Sequence, residues 1–162
     1  MNYFELFGIG EAPVVDRSVL ALKYFELQKK FHPDFYMNEN EATQESATLQ
    51  SAEINKAFNI LRDPDRTIEY FLQLKGTITT DEKYSLPADF LAEMMELNES
   101  FEESENVMTQ RVAEIEKDLL ATISLPSNGD NATTITDREL QALKAYYYKK
   151  KYLKRILDRI AD

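Results

Sequence analysis

The chain has 162 residues, 43% of them apolar, and carries 19 basic and 29 acidic side chains for a net charge of −10. That is enough apolar material for one domain or two small ones, so a disordered tail is excluded, and the acidity disfavours nucleic acid as the main partner. With no Cys and a single His, disulfides, thiolate nucleophiles and His/Cys metal sites fall away too.

The predicted elements are all helices. Asn2 to Phe7 forms a short one, ended by Gly8 and Gly10. Asp16 caps a second, whose Leu20, Tyr24, Leu27 and Phe31 recur at i, i+4, i+7 and i+11. Pro33 stops it, because proline disfavours helical geometry in the residue before it. A polar loop runs from Asp34 to about Asn40. A third helix then continues to Arg62, with Ala47, Ile54, Phe58 and Leu61 on one face. Asp63-Pro64, a cap followed by proline at the first helical position, opens a fourth that Gly76 ends.

Residues 77–86 read as a linker, with Thr77, Thr79 and Thr80 and little periodicity. Pro87 starts a fifth helix with Phe90, Met94, Leu97 and Phe101 in a stripe. A sixth carries Met108, Val112, Ile115, Leu119 and Ile123. Pro126 and Asn128-Gly129 mark a loop over 124–134. The Thr136/Glu139 capping box opens a last helix to about Ile160, with Leu143, Tyr146, Leu153, Leu157 and Ile160 inward. The fold class is all-α, with an N-terminal helical unit over 1–76 and a three-helix bundle over 87–162. Residues 89–105 hold seven acids and no bases, whereas 144–159 hold seven bases and one acid. The fifth and last helices should therefore lie side by side. Exposed pairs contribute only about 0.2–1 kcal/mol each, so the pattern bears on pairing more than on stability.

Met1-Asn2-Tyr3-Phe4-Glu5 has neither the basic start nor the apolar stretch of a signal peptide, and no apolar run approaches a membrane span. A cytoplasmic protein with no membrane partner is expected. Nothing demands an oligomer, so a monomer is expected as well. Tyr146-Tyr147-Tyr148 and Lys149-Lys150-Lys151 invite a stacking-and-charge reading toward nucleic acid. On a helix, however, these six point in all directions, beside an acidic neighbour.

His32-Pro33-Asp34 sits between two amphipathic helices. Pro33 stiffens the turn and removes a donor, which leaves the His and Asp side chains presented at a helix end. The bland alternative is a loop with a helix-stopping proline. An acid/base pair has no nucleophile, metal set or second base beside it, so no enzyme is expected. Short helix, long helix ending in Lys29-Lys30-Phe31, this turn, then a long helix: the order resembles a J domain. The resemblance narrows at Tyr3-Phe4-Glu5-Leu6-Phe7-Gly8 and at Ser51-Ala52-Glu53-Ile54-Asn55-Lys56-Ala57-Phe58, with Leu61, Pro64, Arg66, Tyr70, Leu72, Leu74 and Gly76 following. These are similar to the J proteins of iron–sulfur cluster assembly, the HscB family. The likeness is dense over 1–76 and thinner over 87–103; from 104 onward it rests on length and helix pattern.

The resemblance implies a co-chaperone that stimulates the ATPase of an Hsp70, HscA-like or DnaK-like, and brings it an IscU-like scaffold for cluster transfer. No cofactor or metal is implied. The Hsp70 contact falls on His32, Pro33 and Asp34 and on the basic face of Lys23, Lys29 and Lys30, diluted by Glu26. Phe35 stands where J domains usually carry a base. The scaffold contact falls on Leu91, Ala92, Met95, Glu96, Glu99 and Glu103 of the fifth helix, with Tyr152 from the last. Ala92 stands where a bulkier apolar residue is common. Leu91 and Met95 lie about 100° round from the Phe90 stripe, so the core does not need them.

Overall fold

The computed structural model describes residues 1–99, 105–121, 123 and 135–161, with side chains through Arg159 in the last stretch. Phe101, Glu103, the 124–134 loop and the Ile160 side chain lie outside the described residues. Among those described there are seven α-helices, one 3-10 turn and no β-strand. They fall into two compact units, Met1–Leu74 and a second drawn from Lys75–Ser124 and Ile135–Asp162.

In the first unit, α1 (Tyr3–Phe7) is fixed at both ends. The Asn2 side chain accepts from the Glu5 amide while Glu5 accepts from the Asn2 amide, both at 2.9 Å. Gly8 closes the helix at φ 64°, where a Cβ would be strained. This places Phe4 and Phe7 in the core and stacks Tyr3 on Tyr70 at 4.7 Å.

Helices α2 (Arg17–Phe31) and α3 (Glu41–Leu61) are antiparallel, and their register is set by polar contacts beside the core. Tyr24 stacks on Phe58 at 4.1 Å and donates to Asn55 Oδ1 at 2.7 Å. Gln28 donates to the same Asn55 oxygen at 3.0 Å and accepts from Ser51 at 3.2 Å. Sliding the hairpin by one turn would break all of these, whereas an apolar seam alone would tolerate it.

Between α3 and α4 (Pro64–Leu74), Asp63 Oδ1 accepts from the Asp65 and Arg66 amides. The buried Thr67 hydroxyl lies 3.1 Å from the Ile60 and Leu61 carbonyls and 2.8 Å from that of Asp63. It has one proton for three acceptors, so it satisfies a shared cluster of helix-end carbonyls. Thr67→Val keeps the shape and removes the donor. Its expected effect is a loss of about 1–3 kcal/mol in urea unfolding, with the m-value unchanged.

In the second unit, Phe90, Met94 and Leu97 of α5 (Ala88–Glu99) meet Met108 and Val112 of α6 (Glu105–Ala121) and Leu153 and Ile156 of α7 (Asp137–Ala161) in a core cluster. Ile156 is buried one turn on from Leu153, and the predicted Leu157 packs half-buried beside it. Burying each such side chain contributes about 1.5–3 kcal/mol relative to exposure. The acidic α5 meets the basic α7 at Phe90. Phe90 meets Tyr152 edge-on at 6.2 Å, and Lys149 Nζ sits 5.6 Å from the Phe90 ring centre.

Residues 77–86 contain no helix or strand, yet they are strapped to this unit. Ile78 is buried and Leu86 packs on the core. Glu82 takes an ion pair from Lys144 through one oxygen and a 3.0 Å hydrogen bond from the Tyr148 hydroxyl through the other. Tyr84 stacks on Tyr148 at 4.4 Å, nearly parallel.

The Lys144 hydrogen bond, with Tyr148 adding to it, holds the Glu82 carboxyl below its ordinary value of 4.5, against a smaller opposing push from desolvation. A carboxyl whose pKa is lowered by folding stabilises the fold above its unfolded pKa. That contribution is lost as pH falls through the folded pKa. Amide hydrogen exchange over 78–86 should therefore quicken as pH drops below 4.5, after correction for intrinsic rates. Glu82→Gln should quicken it already at pH 7 and flatten the acid response.

Candidate functional site

The His32-Pro33-Asp34 turn is more ordered than a polar loop. Pro33–Tyr36 form a 3-10 turn, with proline in its first positions and His32 as its cap. His32 Nδ1 accepts from the Asp34 amide at 3.2 Å, and the His32 carbonyl accepts from Phe35 at 3.0 Å. The Tyr36 hydroxyl donates to the Lys30 carbonyl at 2.6 Å, tying the far side of the turn to the end of α2. The Asp34 carboxylate is 77% exposed, with Oδ2 3.5 Å from His32 Nδ1. A charge is thus held on a short, doubly tethered turn and remains free to enter a partner.

The predicted lysines are on α2 but are not a bare basic face. Lys23 pairs with Glu26 at 3.9 Å. Lys29 lies 5.5 Å from the ring centre of Phe25, and Lys30 5.2 Å from that of Phe31. Such cation–π contacts rest each ammonium on its own helix without neutralising it. The outward face of α2 also carries Leu22 and Phe25, 59% and 61% exposed. The sequence reading passed over both. The available signal was their i, i+3 spacing on the side opposite the Leu20/Tyr24/Leu27/Phe31 stripe.

The α5 face separates from the core as its phase requires. Phe90, Met94 and Leu97 are buried, whereas Leu91 is 40% and Met95 64% exposed. Ala92, Glu96 and Glu99 are exposed on the same helix. Tyr152 is half-buried against Phe90, the residue before Leu91. An apolar pair edged by carboxylates is thus displayed, with Glu103 outside the described residues.

Among known proteins, the chain is 34% identical over 148 residues to the co-chaperone protein HscB homolog of Vibrio vulnificus, covering 85% of this chain and 86% of that one. The chain belongs to the HscB co-chaperone family. Residues 86–161 match the family model described as the HSCB C-terminal oligomerisation domain. The HscB homolog of Vibrio cholerae is 43% identical over 103 residues, a stretch that spans 63% of this chain and 60% of that relative's length. The solved chaperone HscB from Vibrio cholerae superposes with a TM-score of 0.71 at 29% identity, over 99% of this chain and 96% of that one. Human co-chaperone HscB shares the fold, with a TM-score of 0.79 at 24% identity over 99% and 81% of the two chains. The all-α fold of the described residues is therefore that of HscB. No described helix is long and apolar enough to cross a membrane. No group of three or more His, Cys, Asp or Glu among the described residues could hold a metal.

Proposed function

We propose that this HscB-type chain is a cytoplasmic J-type co-chaperone with two contacts of different kinds. The first unit, with 1–76 as its J domain, binds an Hsp70 through His32, Pro33, Asp34 and α2 and stimulates ATP hydrolysis. The second, over 87–162, binds an IscU-like iron–sulfur scaffold through Leu91, Ala92, Met95, Glu96, Glu99, Glu103 and Tyr152, and delivers it for cluster transfer. The observation that carries the reading is the tethered turn presenting the exposed Asp34 charge at the end of α2. Lys29 and Lys30 stand in the same last turn of that helix. The chain performs no bond chemistry of its own. It joins two partners, and two modest contacts on one body raise the effective concentration of client at chaperone.

Single-turnover ATP hydrolysis by the host Hsp70, with this chain and with scaffold added, tests the proposal. Hydrolysis should accelerate with the chain and accelerate further with scaffold. Acceleration that ignores scaffold would leave a general Hsp70 adaptor with another client. No acceleration with any host Hsp70 would overturn the co-chaperone reading.

A further inference from the structure

Beside the α5 face, the strap and α7 enclose an open groove of about 360 Å³. Tyr84, Tyr148, Tyr152 and Leu86 give it aromatic and apolar walls, and Lys83, Lys151 and Arg155 stand around it. Glu82 is its one acidic lining residue, and both carboxylate oxygens are occupied by Lys144 and Tyr148. The groove therefore has a net excess of cations in a chain whose overall charge is −10. Its walls are built rather than incidental. The Tyr84–Tyr148 stack is nearly parallel, and the ion pair that holds the strap is itself mostly withdrawn from solvent.

Tyr152 belongs to both surfaces. It lines the groove, and its ring meets Phe90 immediately before Leu91. The two faces carry opposite charge, with the exposed carboxylates Glu96 and Glu99 on α5 and the cations Lys151 and Arg155 lining the groove. We propose that the groove is a second part of the client site and takes a short acidic segment of the client bearing an apolar or aromatic residue. This rests on the client reading above and adds a direction to it. A client with a basic group toward α5 and an acidic one toward α7 docks in one orientation and is repelled in the reverse one.

Three cations and stacked rings also suit single-stranded nucleic acid. Three cations offer a polyanion few phosphate contacts in a chain of net charge −10, so counterion release gives it little, whereas a short acidic segment needs no more than these.

The test uses the full chain and a fluorescein-labelled peptide alternating glutamate and phenylalanine, followed by anisotropy, with inorganic phosphate and a single-stranded RNA oligomer in parallel. The peptide should bind saturably and more weakly at higher salt. Lys151→Glu combined with Arg155→Glu should weaken it at least tenfold at unchanged helicity, and the Ala pair less, in the same direction. Lys117→Glu on the exposed side of α6 should change nothing. Scaffold should displace the peptide, and the charge-reversed pair should bind scaffold about tenfold more weakly. No saturable peptide binding, or binding indifferent to the pair, overturns the groove as a site. RNA or phosphate binding tighter than the peptide overturns its chemical class. Peptide binding that scaffold does not displace overturns its place in the client site. Wild-type chain that binds peptide but no scaffold would instead refute the client reading, leaving the groove's own chemistry decided.

Discussion

Asp34→Asn is expected to abolish stimulation of the Hsp70 ATPase while leaving far-UV circular dichroism and the melting temperature as they are. The carboxylate is 77% exposed and its closest described contact is the 3.5 Å approach to His32. Surface changes of this kind stay within about 0.5 kcal/mol of the parent stability. The turn also keeps its shape. The bonds that define it run from the Asp34 and Phe35 amides to His32 and from Tyr36 to Lys30, and none uses the Asp34 side chain. On the proposed function, what disappears is a charge that the complex would desolvate against a partner's charge. Truncating one member of such a pair loses about 2–5 kcal/mol, or roughly 30- to 5000-fold in productive engagement. Single-turnover hydrolysis and a thermal melt on the same preparation decide it. Full stimulation by the variant would remove Asp34 from the mechanism, and loss of the fold would show that the turn is more than a display.

The second large effect is expected on the client side. Leu91→Ala together with Met95→Ala should lower scaffold affinity by about 2–4 kcal/mol, or roughly 30- to 900-fold, in isothermal titration calorimetry. Both residues are substantially exposed in the free chain, and alanine is the better helix former, so α5 should persist. The neighbouring Met94→Ala provides the contrast. Met94 is fully buried with Phe90, Leu97 and Leu153. Its truncation should destabilise the second unit by about 2–5 kcal/mol through the cavity it leaves. Adjacent residues on one helix thus separate binding from stability. Equal melting losses for both variants would mean that Leu91 and Met95 are core residues.

Much of the architecture was legible in the chain, because helices announce themselves locally. Asp16, Asp63-Pro64 and Thr136 with Glu139 sit at helix starts where their chemistry places them, whereas Asn2, read as the first helical residue, is the cap of α1. The α5 stripe separated Phe90, Met94 and Leu97 from Leu91 and Met95 by phase alone. Other features depend on partners far away in sequence. Nothing between 77 and 86 foretells that Glu82 and Tyr84 meet Lys144 and Tyr148, so a stretch without periodicity reads as a tether although it is a packed strap. The groove followed from that strap and was hidden for the same reason. On α2, the lysines dominated the reading, while Leu22 and Phe25 are exposed on the same helix. The polar loop after Pro33 became a 3-10 turn because the His32 ring and the Tyr36 hydroxyl supply its bonds. Propensity does not register side-chain bonds of that kind.

The strap also bears on how the protein is made. Glu82 and its partner Lys144 are 62 residues apart, and α7 supplies Leu153 and Ile156 to the same core. At about 5–20 residues per second of synthesis, roughly 3–12 s separate the two ends of that contact at the ribosome. For most of that interval Phe90, Met94 and Leu97 have been joined to the chain while Leu153 and Ile156 have not. The nascent second unit therefore keeps that apolar face open until α7 is made, and a message truncated ahead of Leu153 would yield a chain without two of the residues that cover it.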